Sequence, residues 1–269
     1  MSATLDRIAA LLAKAERTDN EAEADAYLVK AQTLATLASI DLAAARARTA
    51  RREGSHLPVS RTTSIGEKGR RANPHLISLY VAIAHSNDAK VDVATNSTYV
   101  VGYAIAEDLD AVEVMFSRLA VHMVQTGQAF VTGRSWAQES YWAVVSGRRL
   151  RREHTAQTAR ASFYRAYVAR IGERLAQARR EAVHAADESA ARSLASSGGA
   201  ELVLARKAAQ VSDFHARTSG ARGSWRGYSG SVRRSSGSAA VAGQRAASSA
   251  RLVDHPELAG PRGAIAAQG

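Results

Sequence analysis

A chain of 269 residues with 46% hydrophobic content is long enough to fold around a sizeable core, as one large domain or two modest ones. The absence of cysteine excludes disulfides, thiolate zinc sites and a cysteine nucleophile, and no apolar run approaches the roughly 20 residues that span a bilayer. The net charge of +11 belongs to the second half: residues 134–180 carry eleven arginines against three carboxylates and residues 216–251 seven arginines and no acid, whereas residues 1–50 balance six basic against seven acidic side chains.

The N-terminus, MSATLDRIAALLAKAER, lacks the basic region and apolar stretch of a signal peptide, and a soluble, cytoplasmic protein is expected. Leu5, Ile8, Leu11, Leu12 and Ala15 form one apolar stripe of a first helix, from Thr4 to about Arg17. Thr18-Asp19-Asn20 breaks it and offers new caps. A second helix follows to about Ser39, with the stripe Ala24, Tyr27, Leu28, Ala31, Leu34, Ala35 and Ala38. So short a break sets the two antiparallel, stripe against stripe, as an αα-hairpin.

The pattern I-x-x-L-L-A-K-A-E at Ile8 to Glu16, E-A-E-A at Glu21 to Ala24, K-A-Q-x-L at Lys30 to Leu34 and the ending Ile40-Asp41 resemble the DUF2786 family of actinobacterial, proteobacterial and phage proteins. Lys14, Glu16, Glu21, Lys30 and Gln32 carry the likeness, and Leu34-Ala35 departs from the usual L-M pair. Further on, V-G-Y, S-F-Y-x-x-Y-x-x-R-I-G-E-R-L and the basic Gly/Ser tail look like the longer actinobacterial members. The resemblance implies a fold and no chemistry.

Residues 51–72, with Gly54, Pro58, Gly66, Gly69 and clustered Ser and Thr, read as a linker. Asn73-Pro74 then opens a third helix, asparagine as N-cap and proline at N1, with Leu76, Leu79, Tyr80 and Ile83 buried. AKVDVAT and STYVVGY predict a β-hairpin over about 89–103. Glu107-Asp108 starts a fourth helix whose core stripe is Leu109, Val112, Met115, Phe116, Leu119, Val121 and Met123. A fifth, basic helix is expected from about Leu150 to Asp187, burying Phe163, Tyr164, Tyr167, Ile171 and Leu175 and turning Arg152, Arg160, Arg165, Arg170, Arg174 and Arg179 elsewhere. A last helical stretch runs from Ala200 to His215, and residues 216–269 read as a disordered Arg/Gly/Ser-rich tail.

Catalytic signals are weak. The eight histidines stand far apart without H-x-x-x-H or H-E-x-x-H spacing, so no metal or other cofactor is expected, and His122 reads as a core histidine. Glu16, Asp19, Glu21, Glu23 and Asp25 cluster at the hairpin turn, where helix N-termini favour acids without any catalytic role. G-E-K-G at Gly66 to Gly69 is too short for a P-loop, and no G-x-S-x-G occurs.

The fold expected is α+β and predominantly helical: a hairpin domain over 1–50, the linker over 51–72, an α+β domain over 73–215 and the tail. The leading function is a non-enzymatic protein that binds DNA or RNA phosphate non-specifically. Arg148, Arg149, Arg151, Arg152, Arg160, Arg222, Arg226, Arg233 and Arg234 supply charge; Trp225 and Tyr228 stack on bases. Lys14, Lys30 and Gln32 are expected to dock a protein partner. The alternatives are an adaptor in which charge has no specific role and an enzyme assembled from dispersed residues.

Overall fold

A computed structural model describes residues 3–18, 20–49, 57–192, 199–223, 225, 227 and 236–250. Helices α1 (Ala3–Arg17) and α2 (Glu21–Thr49) form the expected hairpin. Ile8, Leu12 and Ala15 face Ala24, Leu28, Ala31 and Ala35, all buried, and the small alanines let the two backbones approach closely. At the turn Asn20 Oδ1 accepts the Ala22 amide, and the Glu23 carboxylate accepts from Thr18 and Tyr27 hydroxyls, which hold its pKa below the ordinary value.

The hairpin shares its core with the rest of the chain. Ile8, Leu12 and Leu28 join one cluster with residues of α3 (Asn73–Ser86), α4 (Ala106–Thr132) and α5 (Ala156–Arg192). The expected core residues Leu79, Tyr80 and Ile83, Leu109, Val112, Met115, Phe116, Leu119 and Met123, and Phe163, Tyr164, Tyr167, Ile171 and Leu175 are all buried there. Leu76 is half-buried, and in α4 Val121 is the exception. It lies two positions from Leu119, about 200° round the helix, and is exposed, whereas His122 on the core side is buried.

Strand β1 (Val59–Ser64) corrects the linker reading. It pairs antiparallel with β3 (Tyr99–Ala104), which also pairs with β2 (Lys90–Val93) in the order β1-β3-β2. Ser60, Thr62 and Ser64 make the polar outer side of an edge strand, while Thr63 turns inward to donate to the Glu113 carboxylate. Gly102 at the centre of β3 explains V-G-Y, since an added Cβ would come within 2.8 Å of the Tyr80 hydroxyl and 2.9 Å of Leu109. The start of α3 is corrected too: Ala72 is the N-cap, and buried Asn73 donates Nδ2 to the carbonyls of Glu67 and Ser97, tying the preceding loop to the β2–β3 turn.

The expected disordered tail is corrected at its middle. After α6 (Ala200–Thr218), residues Gly237–Ser248 form α7, packed along α5. Ala239, Gly243 and Ala247, four residues apart, make a flat stripe against α5, and a Cβ on Gly243 would overlap the Phe163 carbonyl. The N-terminus of α7 is capped by Ser236, which accepts the Ala239 amide, and by the Glu139 carboxylate, which accepts the Gly237 and Ser238 amides at 2.8 Å. Gly243→Leu should therefore cost roughly 1–3 kcal/mol by overpacking and expose Arg245 to trypsin. Gly237→Ala, facing open space, should leave the cleavage pattern unchanged.

Candidate nucleic-acid interface

Strands β4 (Ser140–Val145) and β5 (Arg148–Glu153) form a second, two-stranded sheet separate from the first. They correct the helix expected from about Leu150. Tyr, Trp and Val favour strand in β4, and both turn residues, Ser146 (φ 50°) and Gly147 (φ 78°), lie in the left-handed region that a tight two-residue hairpin turn requires. The helix begins after Thr155, which exchanges two hydrogen bonds with Thr158. Thr155 Oγ1 accepts the Thr158 amide at 3.2 Å, and Thr158 Oγ1 accepts the Thr155 amide at 2.9 Å.

The register puts Trp142 opposite Arg151 and Val144 opposite Arg149 on one face, with Tyr141 opposite Arg152 and Val145 opposite Arg148 on the other. Every residue of β5 is exposed. Trp142 is 60% and Val144 67% exposed, and the Arg149 guanidinium lies over the Trp142 ring, 5.7 Å from its centroid. Arg151 Nε donates to Ser140 Oγ at 2.6 Å. The root is anchored: buried Trp136 donates Nε1–H to the Val131 carbonyl, and the rings of Tyr141 and His154 meet at 5.0 Å. Four guanidinium groups and an indole thus stand on a ribbon free of other strands.

At the same end, between the N-termini of α3 and α5, the C-terminal half of α4 and the β2–β3 turn, lies a cleft of about 570 Å³. Arg70, Arg71, Arg160, Gln128, Gln157 and Asn96 line it, and no Asp or Glu is among its lining residues. Arg160 is the one expected binding residue found here. Arg70, Arg71, Gln128 and Gln157 went unread, although Arg70-Arg71 before Asn73-Pro74 was visible as a basic run at a helix start. His75 below them is buried and neutral, its pKa lowered to about 4 first by burial and then by Arg165.

Other expected residues fall differently. Arg222 is exposed after α6 and Trp225 is partly exposed, while Arg226, Tyr228, Arg233 and Arg234 lie outside the described residues. Lys14 and Lys30 are exposed on α1 and α2. Gln32 is corrected: it is 1% exposed, and its Nε2 donates to Thr36 and to Asn87, the residue that follows α3, so it is not part of an exposed docking face. Arg174 and Arg179 also leave the expected surface. Arg174 is buried, pairing with Asp25 and donating to the Ala247 carbonyl, and Arg179 pairs with Asp88 at 2.6 Å.

Two polar clusters test the enzymatic alternative. The Asp92 carboxylate accepts from Tyr103 at 2.8 Å, His215 at 2.9 Å and Ser219 at 2.6 Å. A serine nucleophile needs the histidine between serine and acid, whereas here both donate to the acid, which makes the cluster a clamp of α6 on the sheet. The second gathers Lys207, Asp88 and Asp108 in the interior, where charge pairing serves packing. Among the described residues no group of three or more His, Asp and Glu could hold a metal ion, and no helix is long and apolar enough to cross a membrane.

Residues 3–42 match the family described as Protein of unknown function (DUF2786). The DUF2786 match covers α1 and most of α2, and it does not reach V-G-Y or the S-F-Y segment, for which a likeness was also expected. No curated protein and no solved structure matches the chain.

Proposed function

We propose that the protein binds nucleic acid through the phosphate backbone, with little sequence preference, using the β4–β5 ribbon as its principal contact. The observation that carries this reading is the exposure of Arg148, Arg149, Arg151 and Arg152 on one strand beside Trp142. A two-stranded ribbon has the width of a major groove, its arginines release counterions from phosphate, and its indole can stack on an unpaired base. Arg222 and Trp225 extend the same chemistry beyond α6. Lys14 and Lys30 remain a docking face for a protein partner.

The test is fluorescence anisotropy with a labelled duplex and a labelled single strand across a salt series. Replacing the four β5 arginines with glutamine should weaken binding on the order of 100-fold near 0.1 M salt and flatten the slope of log K against log salt by roughly 3. The replaced side chains are exposed, so the urea midpoint should hold. Absence of binding at low salt, or wild-type affinity in the variant, overturns the reading. The exposed Val144, Val145 and Leu150 favour a protein-binding ribbon as the second reading. In that case Val144→Ser and Leu150→Ser abolish partner capture while the arginine variant retains it.

A further inference from the structure

We propose that the cleft between α3, α4 and α5 is a binding site for a phosphate group of mononucleotide size, distinct from the ribbon. The side-chain amide oxygens in its wall are already engaged internally. Arg71 Nη1 donates to Gln157 Oε1 at 2.8 Å, Arg160 Nη2 donates to Gln128 Oε1 at 2.9 Å, and Asn96 Oδ1 accepts from the Thr98 amide and hydroxyl. What remains toward a ligand is donors: guanidinium N–H groups of Arg71 and Arg160 and the NH2 ends of Gln157 and Asn96.

Arg71 and Arg160 have glutamine partners in place of the carboxylates that neutralise Arg61, Arg170 and Arg179 elsewhere in the fold. Among the described residues, Arg70 is the one of the cleft's arginines held by an acid, Glu67. The N-terminal turn of the 14-residue α3, at Asn73, Pro74 and His75, forms part of the wall and adds the positive end of a helix dipole. Two guanidinium groups in the wall of one concave site, with no Asp or Glu among its described lining residues, offer the paired N–H donors that phosphate oxygens accept. A volume of about 570 Å³ exceeds what one phosphate needs and suits a nucleotide.

Calorimetry on the full chain with pyrophosphate and a nucleoside monophosphate tests the site directly. Both should bind, and Arg71→Gln and Arg160→Gln should each weaken binding about tenfold, as loss of a charge-assisted hydrogen bond predicts. Arg71→Lys, which keeps the charge, should recover part of the loss. Arg149→Gln with Arg151→Gln on the ribbon should leave it unchanged, which separates failure of this site from failure of the ribbon. Competition with 5′-phosphorylated and 5′-hydroxyl oligonucleotides names the source. Preference for the phosphorylated end assigns the site to a strand terminus, and equal competition assigns it to a free nucleotide. No binding of either small phosphate, or wild-type affinity in the Arg71→Gln, Arg160→Gln double variant, overturns the proposal.

Discussion

Lowering the pH from 6.5 to 4 should strip about 3 kcal/mol of folding stability from the protein for each of two histidines, His75 and His122. Both are buried, and burial lowers each pKa from 6.5 to about 4, with Arg165 adding to the effect at His75 and Arg174 at His122. Each stays neutral in the folded protein while its unfolded counterpart takes up a proton near pH 6.5. The stabilisation is therefore complete above pH 6.5 and is lost as the pH falls toward 4, with a slope near 1.4 kcal/mol per pH unit for each histidine. Asp108 opposes this in part, because burial raises its pKa and acid relieves it of a buried charge. Urea unfolding between pH 4 and 8 measures the sum. His122→Asn, which preserves a polar atom toward the Tyr167 hydroxyl now 2.9 Å from Nδ1, should remove about half of the slope, and His75→Phe the other half. Stability that stays flat between pH 6.5 and 4 would contradict the assignment.

Lys207→Met should destabilise the protein by roughly 3–5 kcal/mol, a large share of what a domain of ordinary stability has. The ammonium is 4% exposed and reaches Ser39 of α2, Asp88 at 2.9 Å after α3 and Asp108 at 3.1 Å in the first turn of α4. Methionine retains most of the volume, so the loss comes from the carboxylates stranded beside it. Asp88 keeps Arg179, whereas Asp108 loses its cation. Adding Asp108→Asn to Lys207→Met should therefore recover about 1–2 kcal/mol, and the stability gap between the single variant and the wild type should narrow as the pH falls, since the pKa of an unpaired buried carboxyl rises further. A double variant no more stable than the single one would place the cost in packing instead.

Periodicity made most helices legible. Ile8, Leu12 and Leu28, or Leu109, Val112 and Leu119, recur at helical spacing because one face of each helix must leave water, and that requirement is written locally. The β2–β3 hairpin was legible for the same reason at period two. Arginine and alanine were misleading. Both favour helix in isolation, so L-R-R-E from Leu150 read as the start of a helix, and only pairing with Tyr141 to Val145 across the Ser146-Gly147 turn makes it a strand. The α7 segment failed in the opposite direction: its Gly, Ala and Ser read as low complexity, yet spacing of four at Ala239, Gly243 and Ala247 makes a surface that needs α5 to become a helix contact.

The candidate sites divide the same way. Sequence by itself determined that the chain is helical, that its N-terminal hairpin resembles DUF2786, and that its positive charge lies in the second half. It could not say which arginines are free. Arg174 and Arg179 differ little in sequence from Arg149 and Arg160, but the fold pairs the first two with Asp25 and Asp88, burying Arg174 and half-burying Arg179, and leaves the second two facing solvent or glutamine. Whether a charge is spent inside or presented outside depends on partners from distant positions, such as Asp88 and Arg179 or Arg71 and Gln157. Only the tertiary structure brings these together, because a long-range ion pair leaves no local pattern to read.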